Sequence, residues 1–301
     1  MIEILIIGCN GFIGHHAYNF FFKNDEYHVT GCDISDNLDK DNFKLISPLN
    51  FDFESLFSEN KFDVCLNASG MANVALSEKD PLKDYEVNVV NTIQILDAIR
   101  KNNPICKFIN LSSAAVYGNP DKLPITEDLI PNPISIYGYH KLQAELLCKE
   151  YAKLFNLNTI SLRLFSVYGE GLKKQLLWDL TSKINSEGTI LSMFGKKDDS
   201  RDFIYILELM DVIKLVIEKV NFDGKAINVA NGIETTIEEI VTSYSKISNC
   251  NKQIEFTNEY LPGYPSKWQA DISSLKEIGY ESSVTLEQGL KSYFRWVKEL
   301  K

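Results

Sequence analysis

The chain reads as an α/β protein built on a doubly wound parallel sheet, with a smaller C-terminal α/β lobe appended. Three observations predict this class. The chain begins with an apolar run that turns directly into a glycine-rich loop, Gly8-Cys9-Asn10-Gly11-Phe12-Ile13-Gly14. Strand-like and helix-like patterns then alternate through the first half, which implies crossover units and a parallel sheet. Beyond Tyr168-Gly169 the alternation becomes irregular, broken by Gly188, Gly195, Lys196-Lys197-Asp198-Asp199 and Pro262-Gly263-Tyr264-Pro265, as expected of a separate small lobe.

Strand one, Ile2-Glu3-Ile4-Leu5-Ile6-Ile7, has the β-branched richness of a strand buried on both faces. After it, Gly8 allows a tight turn, Gly11 lets backbone approach a pyrophosphate, and Gly14 lets the next helix pack closely. A diphosphate would rest on that helix N-terminus, where unpaired N–H groups favour negative charge. This is the Rossmann-type dinucleotide pattern in its required strand-to-helix context. The second strand, 27–33, ends in Asp33, about twenty positions past the glycine loop, where a carboxylate accepts hydrogen bonds from ribose hydroxyls. Asp36 lies nearby and no Lys or Arg stands between Asp33 and Lys40, so a 2′-phosphate is disfavoured and the expected cofactor is NAD rather than NADP. Strands four (62–67), five (108–111) and six (159–164) end in Asn67-Ala68-Ser69-Gly70, Ser112-Ser113 and Phe165-Ser166, at the carboxyl ends where such sheets hold ligands. The chain returns to the sheet near Ala226-Ile227-Asn228-Val229-Ala230. The expected division is a dinucleotide-binding domain over 1–168, rejoined near 200–232, and a substrate lobe made mainly of 169–301.

Tyr137 and Lys141 are four apart at the start of a helix expected from about 137 to 155, so they share a face. A free phenol titrates near pH ~10. An ammonium within roughly 4–6 Å favours the phenolate, and lowering the pKa by about three units takes roughly 4 kcal/mol of differential stabilisation. Tyr137 is therefore expected to serve as acid and base near neutral pH, with Ser113 orienting the same substrate oxygen.

The net charge of −10, without a basic cluster, makes nucleic acid and anionic membranes poor partners. Six cysteines show no metal-type spacing, and most are expected to be buried free thiols of a cytoplasmic protein. Met1 runs straight into strand one without a basic leader, and no apolar stretch is long enough to span a bilayer. His15, His16, His28 and His140 form no ligand-type arrangement and are expected to be bystanders; Trp178, Trp268 and Trp296 are expected to pack.

In this order the motifs resemble the extended short-chain dehydrogenase/reductase family acting on nucleotide-activated sugars, the group containing the UDP-galactose 4-epimerases. The matching stretches are the glycine loop, Asn88-Val89-Val90-Asn91-Thr92 opening a helix, Asn110 to Gly118, Tyr137 to Lys141, Leu162 to Gly169, and Arg201-Asp202-Phe203-Ile204-Tyr205-Ile206. The resemblance implies Ser113, Tyr137 and Lys141 as catalytic residues. It implies a cofactor surface of Gly8, Asn10, Gly11, Phe12, Ile13, Gly14, Asp33, Asn50, Ala68, Ser69, Asn88 and Phe165, joined by Tyr137 and Lys141. Substrate contacts are implied for Ser113, Ser166, Lys174 and Arg201, the last a guanidinium able to grip two diphosphate oxygens. The helices following Asn88 and Tyr137 imply a homodimer. Departures are equally specific. The family's acid near adenine is replaced by Ser47-Pro48-Leu49-Asn50, with Asp52 reading as a helix cap. Its usual asparagine in the strand-six motif is Ser166, and its Arg-Pro-Gly-Asp pattern is Leu261-Pro262-Gly263-Tyr264, so Lys267 or Lys174 would have to substitute or the substrate differs.

Dehydratases of this group carry an Asp-Glu pair after the serine; here it is Ala114-Ala115, and methyl groups transfer no protons. Two reactions remain: a nucleotide-sugar 4-epimerase, in which a 4-keto sugar turns over before hydride returns, and an NAD(P)H-dependent reductase of 4-keto-6-deoxysugar nucleotides. The epimerase is favoured because retained NAD suits a redox-neutral cycle. A non-catalytic dinucleotide sensor or structural subunit would be marked by loss of the serine, tyrosine or lysine, and all three are present.

Overall fold

Parallel β-ladders hold the core of the computed structural model, which describes residues 1–36, 42–47, 51–259 and 263–300. The first half runs β1 (Ile2–Ile7), α1 (Phe12–Phe22), β2 (Tyr27–Asp33), β3 (Phe43–Leu45), α2 (Phe53–Glu59) and β4 (Val64–Asn67). It continues through α3 (Val74–Lys79), α4 (Pro81–Tyr85), a π-helical turn over Glu86–Val90, α5 (Asn91–Asn102) and β5 (Lys107–Ser113). A single 3₁₀ turn over Ala114–Tyr117 precedes α6 (Ile136–Phe155) and β6 (Thr159–Leu164). Beyond these lie β7 (Ser166–Tyr168), α7 (Gln175–Asn185), β8 (Ile190–Met193), β9 (Ser200–Tyr205), α8 (Ile206–Lys219), β10 (Ala226–Val229) and β11 (Glu234–Thr236). Last come α9 (Ile237–Ile247), β12 (Gln253–Phe256), α10 (Ser273–Glu277) and α11 (Leu286–Glu299).

Seven parallel strands form the main sheet in the order β10-β6-β5-β4-β1-β2-β3. The unbroken apolar runs follow from burial on both faces. In β1, Ile4 and Ile6 join one core cluster, with Leu66, Ile109 and Leu162, while Leu5 and Ile7 join the other, with Cys65 and Phe108. Strand order reverses between β1 and β4, and this switch point opens a crevice at the carboxyl ends of the strands. Outside the main sheet lie a three-stranded sheet, β11-β9-β7, and a two-stranded one, β12-β8.

Boundaries follow local chemistry. Asp52 caps α2 by accepting from the Ser55 amide at 3.0 Å, and Ser135 caps α6 by accepting from Gly138 at 3.1 Å. Strands β1, β2 and β6 occupy their expected ranges, whereas β4 begins at Val64 because Phe62 turns under the helical layer, its carbonyl taking the buried Asn103 amide at 2.7 Å. The helix expected to open at Asn88 begins instead as the π-helical turn, whose extra residue buries both Asn88 and Asn91. Five of the six free cysteines are buried and Cys250 is partly so. Among the described residues no helix is long and apolar enough to cross a membrane.

Candidate active site

The glycine loop has the shape its spacing predicted. Gly8 has φ +82°, and a Cβ there would lie 2.7 Å from Ser69 N; a Cβ on Gly14 would lie 2.1 Å from Gly8 O. Only hydrogen fits at either position, so α1 starts against the loop with its N-terminal amides pointing into the crevice. Asp33 ends β2 beside this loop. Its carboxylate accepts from Asn10 N at 2.9 Å, Ile34 N at 2.8 Å, and the Ser35 amide and hydroxyl at 3.2 and 3.1 Å. Asn10 ties the same corner through Ser35 O at 2.8 Å. Asp33 thus braces the loop. Phe12 and Ile13 are half-buried in the first turn of α1; Asn50 lies outside the described residues.

From the loop, contacts lead directly to the tyrosine and lysine. Gly8 packs on Ala68 and Ser69, and the adjoining Gly70, at φ +116°, leaves a would-be Cβ only 2.5 Å from Asn88 Oδ1 and 3.6 Å from Lys141 Nζ. Asn88 is 2% exposed, its amide nitrogen donates to Met71 O at 3.2 Å, and its Oδ1 is buried without a partner among the described residues. Lys141 donates to Leu111 O at 2.9 Å, with its ammonium 5.8 Å from the centre of the Tyr137 ring. Ser113 closes β5; its hydroxyl accepts from Ala115 N at 3.1 Å, and the same side chain acts on the Tyr137 phenol to lower its pKa. Gly138 permits this approach, since a Cβ there would stand 2.6 Å from Ala115 O.

The electrostatics depart from the expectation that the ammonium acidifies the phenol. Burial dominates Tyr137 and pushes its pKa up to about 12, against the Ser113 hydrogen bond, which lowers it, and with the nearby Asp84 charge, which raises it. Burial brings Lys141 down to about 8, opposed by Asp84 and Glu145. The ammonium lies against the ring and the Leu111 carbonyl, so desolvation outweighs Coulombic attraction at the phenol.

Beneath the site, Glu145 accepts from Ser112 Oγ at 2.5 Å and pairs with Arg163 at 2.8 Å; Arg163 also donates to Tyr117 Oη at 2.7 Å. This buried network fixes the end of β5 against α6, and hence Ser113 against Tyr137. Arg201, on β9, donates to Ser200 O at 2.7 Å and lies 5.5 Å from the Trp268 ring centre. Neither Asp198 nor Asp202 forms an ion pair with it among the described residues: Asp202 instead accepts backbone amides from Asn231 and Ala270. Burial pushes Arg201 down to about 10, with Asp199 and Tyr264 opposing. Phe165 meets Trp268 edge-on, so this tryptophan packs as expected and also floors the arginine. Lys174 precedes α7 and reaches Ala72 O at 3.3 Å, while half-buried Ser166 starts β7. Lys267 is exposed, and Leu261 lies outside the described residues.

Two groups escaped the sequence reading. His140 is no bystander: its Nδ1 sits 2.6 Å from Asp84 Oδ2, in a pair whose carboxylate is wholly buried. Asp84 falls in the five-residue helix Pro81–Tyr85, too short to give a periodic signal.

The family described as NAD dependent epimerase/dehydratase matches residues 4–230. The chain belongs to this family. It is similar to YtcB of Bacillus subtilis strain 168, described as an uncharacterized UDP-glucose epimerase, at 26% identity over 99% of each chain. Among solved structures it is similar to UDP-glucuronic acid 4-epimerase from Bacillus cereus in complex with UDP-glucuronic acid and NAD, with TM-score 0.89, 30% identity and 100% of both chains covered. It is also similar to UDP-N-acetylglucosamine 4-epimerase from Methanobrevibacter ruminantium in complex with UDP-N-acetylmuramic acid, with TM-score 0.88 and 26% identity over 100% of both chains. Two features of the present fold fit NAD: the cradle at Gly8 and Gly14 that any side chain would fill, and the orphaned Asn88 Oδ1 at the crevice floor.

Proposed function

We propose that this protein is an NAD-dependent UDP-sugar 4-epimerase, which oxidises C4 of the sugar to a ketone and reduces it again from the opposite face. The observation that carries the proposal is the junction of Tyr137 and the Lys141 ammonium, 5.8 Å from the phenol ring centre, with the glycine loop through Gly70. NAD, when bound, supplies the hydride acceptor and donor. It would be held by the loop from Gly8 to Gly14, by Asp33 at the ribose, and by Asn88, Tyr137 and Lys141 deeper in the crevice.

The protein's own residues manage the proton. As the phenolate, Tyr137 Oη takes the C4 hydroxyl proton during oxidation, and as the phenol so formed it returns that proton during reduction. Its neutral phenol, favoured by burial, is already the donor form for the second half of the cycle. Ser113 hydrogen-bonds the C4 oxygen and keeps it in line with the phenol. Lys141 supplies the positive charge that a transient phenolate requires. Arg201, a guanidinium without a carboxylate partner among the described residues, receives the substrate diphosphate, with Lys174 and Ser166 at the same cleft. Ala114 and Ala115 leave no acid–base pair for elimination, consistent with epimerisation. Exposed Ile93 on α5 and Leu146 and Leu154 on α6 form the apolar surface a second copy would cover, which supports a homodimer. The buried free thiols fit a reducing, cytoplasmic setting.

The test is direct. Purified protein incubated with UDP-glucose, UDP-galactose, UDP-glucuronate or UDP-N-acetylglucosamine should form the C4 epimer with no net NADH consumed. Tyr137→Phe should lower kcat about 10³-fold while NAD affinity stays within a factor of about two. Turnover only with stoichiometric loss of NADH would replace the epimerase by a reductase, and an active Tyr137→Phe would remove the proton-transfer role.

A further inference from the structure

The least expected charge in the molecule is Asp84. Its side chain is completely buried, Oδ2 is held by His140 Nδ1 at 2.6 Å, and Oδ1 has no partner among the described residues. An isolated buried carboxylate is costly, so a fold keeps one where a compensating charge or a function demands it. Its surroundings are those of the proposed proton-transfer site. His140 immediately precedes Lys141 on α6, and Asp84 lies on α4, which packs on that helix. The α3 layer contributes Ser77, whose hydroxyl accepts from Tyr137 N at 3.2 Å, and Glu78, which accepts from Ile136 N at 3.2 Å. The groups acting on the Lys141 charge are Asp84 from α4, Glu145 from α6 and Lys174 from the segment before α7. Glu145 is spent on Arg163 and Ser112, and Lys174 repels. Asp84, whose single partner among the described residues is an imidazole, is the carboxylate left to balance the ammonium.

We propose that the Asp84–His140 pair is a positioning element for proton transfer: the imidazole holds the buried carboxylate in place, and the carboxylate keeps Lys141 in its ammonium form beside Tyr137. The inference rests on the roles given above to Tyr137 and Lys141. It adds a division of labour, since the same negative charge disfavours a Tyr137 phenolate. Asp84 therefore favours the lysine cation and the neutral phenol together, the combination that suits the phenol as a proton donor.

A double-mutant cycle reads the effect without needing turnover. Urea unfolding of wild type, Lys141→Met, Asp84→Asn and the double variant, from about pH 6 to about pH 10, isolates the titration of Lys141 as the stability difference between proteins with and without it. Asparagine keeps the size of Asp84 and an acceptor for His140. In the Asp84→Asn background the Lys141 transition should begin at least ~1 pH unit lower than in wild type. An unmoved transition overturns the proposal. For a UDP-sugar that wild type converts, the alkaline limb of kcat should move down with it while KM holds; a uniform loss of kcat with the limb in place would mark Asp84 as merely structural and overturn the proposal. If wild type converts no UDP-sugar, the epimerase reading fails while the unfolding cycle still decides this one. Should Asp84→Asn not fold, His140→Ala removes the donor that holds the carboxylate and must displace the same transition, and a transition in its wild-type place refutes the coupling.

Discussion

Replacing Lys141 with methionine should stabilise the protein at neutral pH while destroying its activity. The ammonium is 6% exposed, and its pKa falls from 10.5 to about 8, chiefly through burial. At roughly 1.4 kcal/mol per pKa unit, the charged form is about 3 kcal/mol less stable in the fold than in the unfolded chain at pH 7. Methionine fills most of the same stem volume without the charge. It forfeits the 2.9 Å hydrogen bond to Leu111 O, and an orphaned carbonyl offsets about 1 kcal/mol or somewhat more. The net gain is about 1–2 kcal/mol, a rise of roughly 2–6 °C in Tm for a chain of this size. The pH dependence has a definite sign. Between about pH 8 and pH 10.5 the unfolded chain binds the lysine proton that the folded one has released, so wild type gains stability relative to the variant as pH rises through that window. Below about pH 8 the handicap is fully present. Calorimetry on NAD-stripped protein at neutral and alkaline pH measures both effects. A Lys141→Met protein less stable than wild type at pH 7, or a difference that does not shrink toward pH 10, would refute the argument that this lysine is held charged against desolvation.

Two further outcomes test the binding surfaces. Asp33→Asn retains an acceptor oxygen for the amides of Ile34 and Ser35, sets an NH2 group opposite Asn10 N and removes the charge, so the preference for NAD over NADP should fall at least about tenfold, or ~1.4 kcal/mol, in paired cofactor titrations; an unchanged ratio would separate Asp33 from cofactor choice. Arg201→Ala should raise KM for the UDP-sugar by roughly 10- to 100-fold, equivalent to a charge-assisted hydrogen bond of about 1.5–3 kcal/mol, with kcat little altered. A variant with wild-type KM would place the diphosphate elsewhere.

What the sequence displayed and what it concealed divide along the range of the forces involved. β1, the glycine loop, Asp33 and the Tyr137/Lys141 spacing are local: each follows from backbone sterics or helical periodicity within a few residues, and each stands where those rules put it. The Asp52 cap was legible for the same reason. The π-helical turn at Glu86–Val90 was not, because it arises from burying Asn88 and Asn91 together against the sheet, a tertiary demand overriding an ordinary amphipathic pattern. Asp84 and His140 are 56 residues apart, so no spacing rule could join them. The pKa of Tyr137 was misjudged because spacing reveals that a cation is near but not that both groups are dry.

The last strand of the main sheet comes late in the chain. Asn228, fully buried in β10, accepts from Tyr117 Oη at 2.6 Å and donates to Ile125 O at 2.9 Å, and β10 lies along the outer side of β6. A ribosome must therefore release residues well past β9 before the edge of β6 is covered and the Tyr117 hydroxyl is satisfied. Until then the nascent N-terminal half carries a naked strand flank, a template for unwanted pairing. Ending the chain before β10 would make that transient hazard permanent.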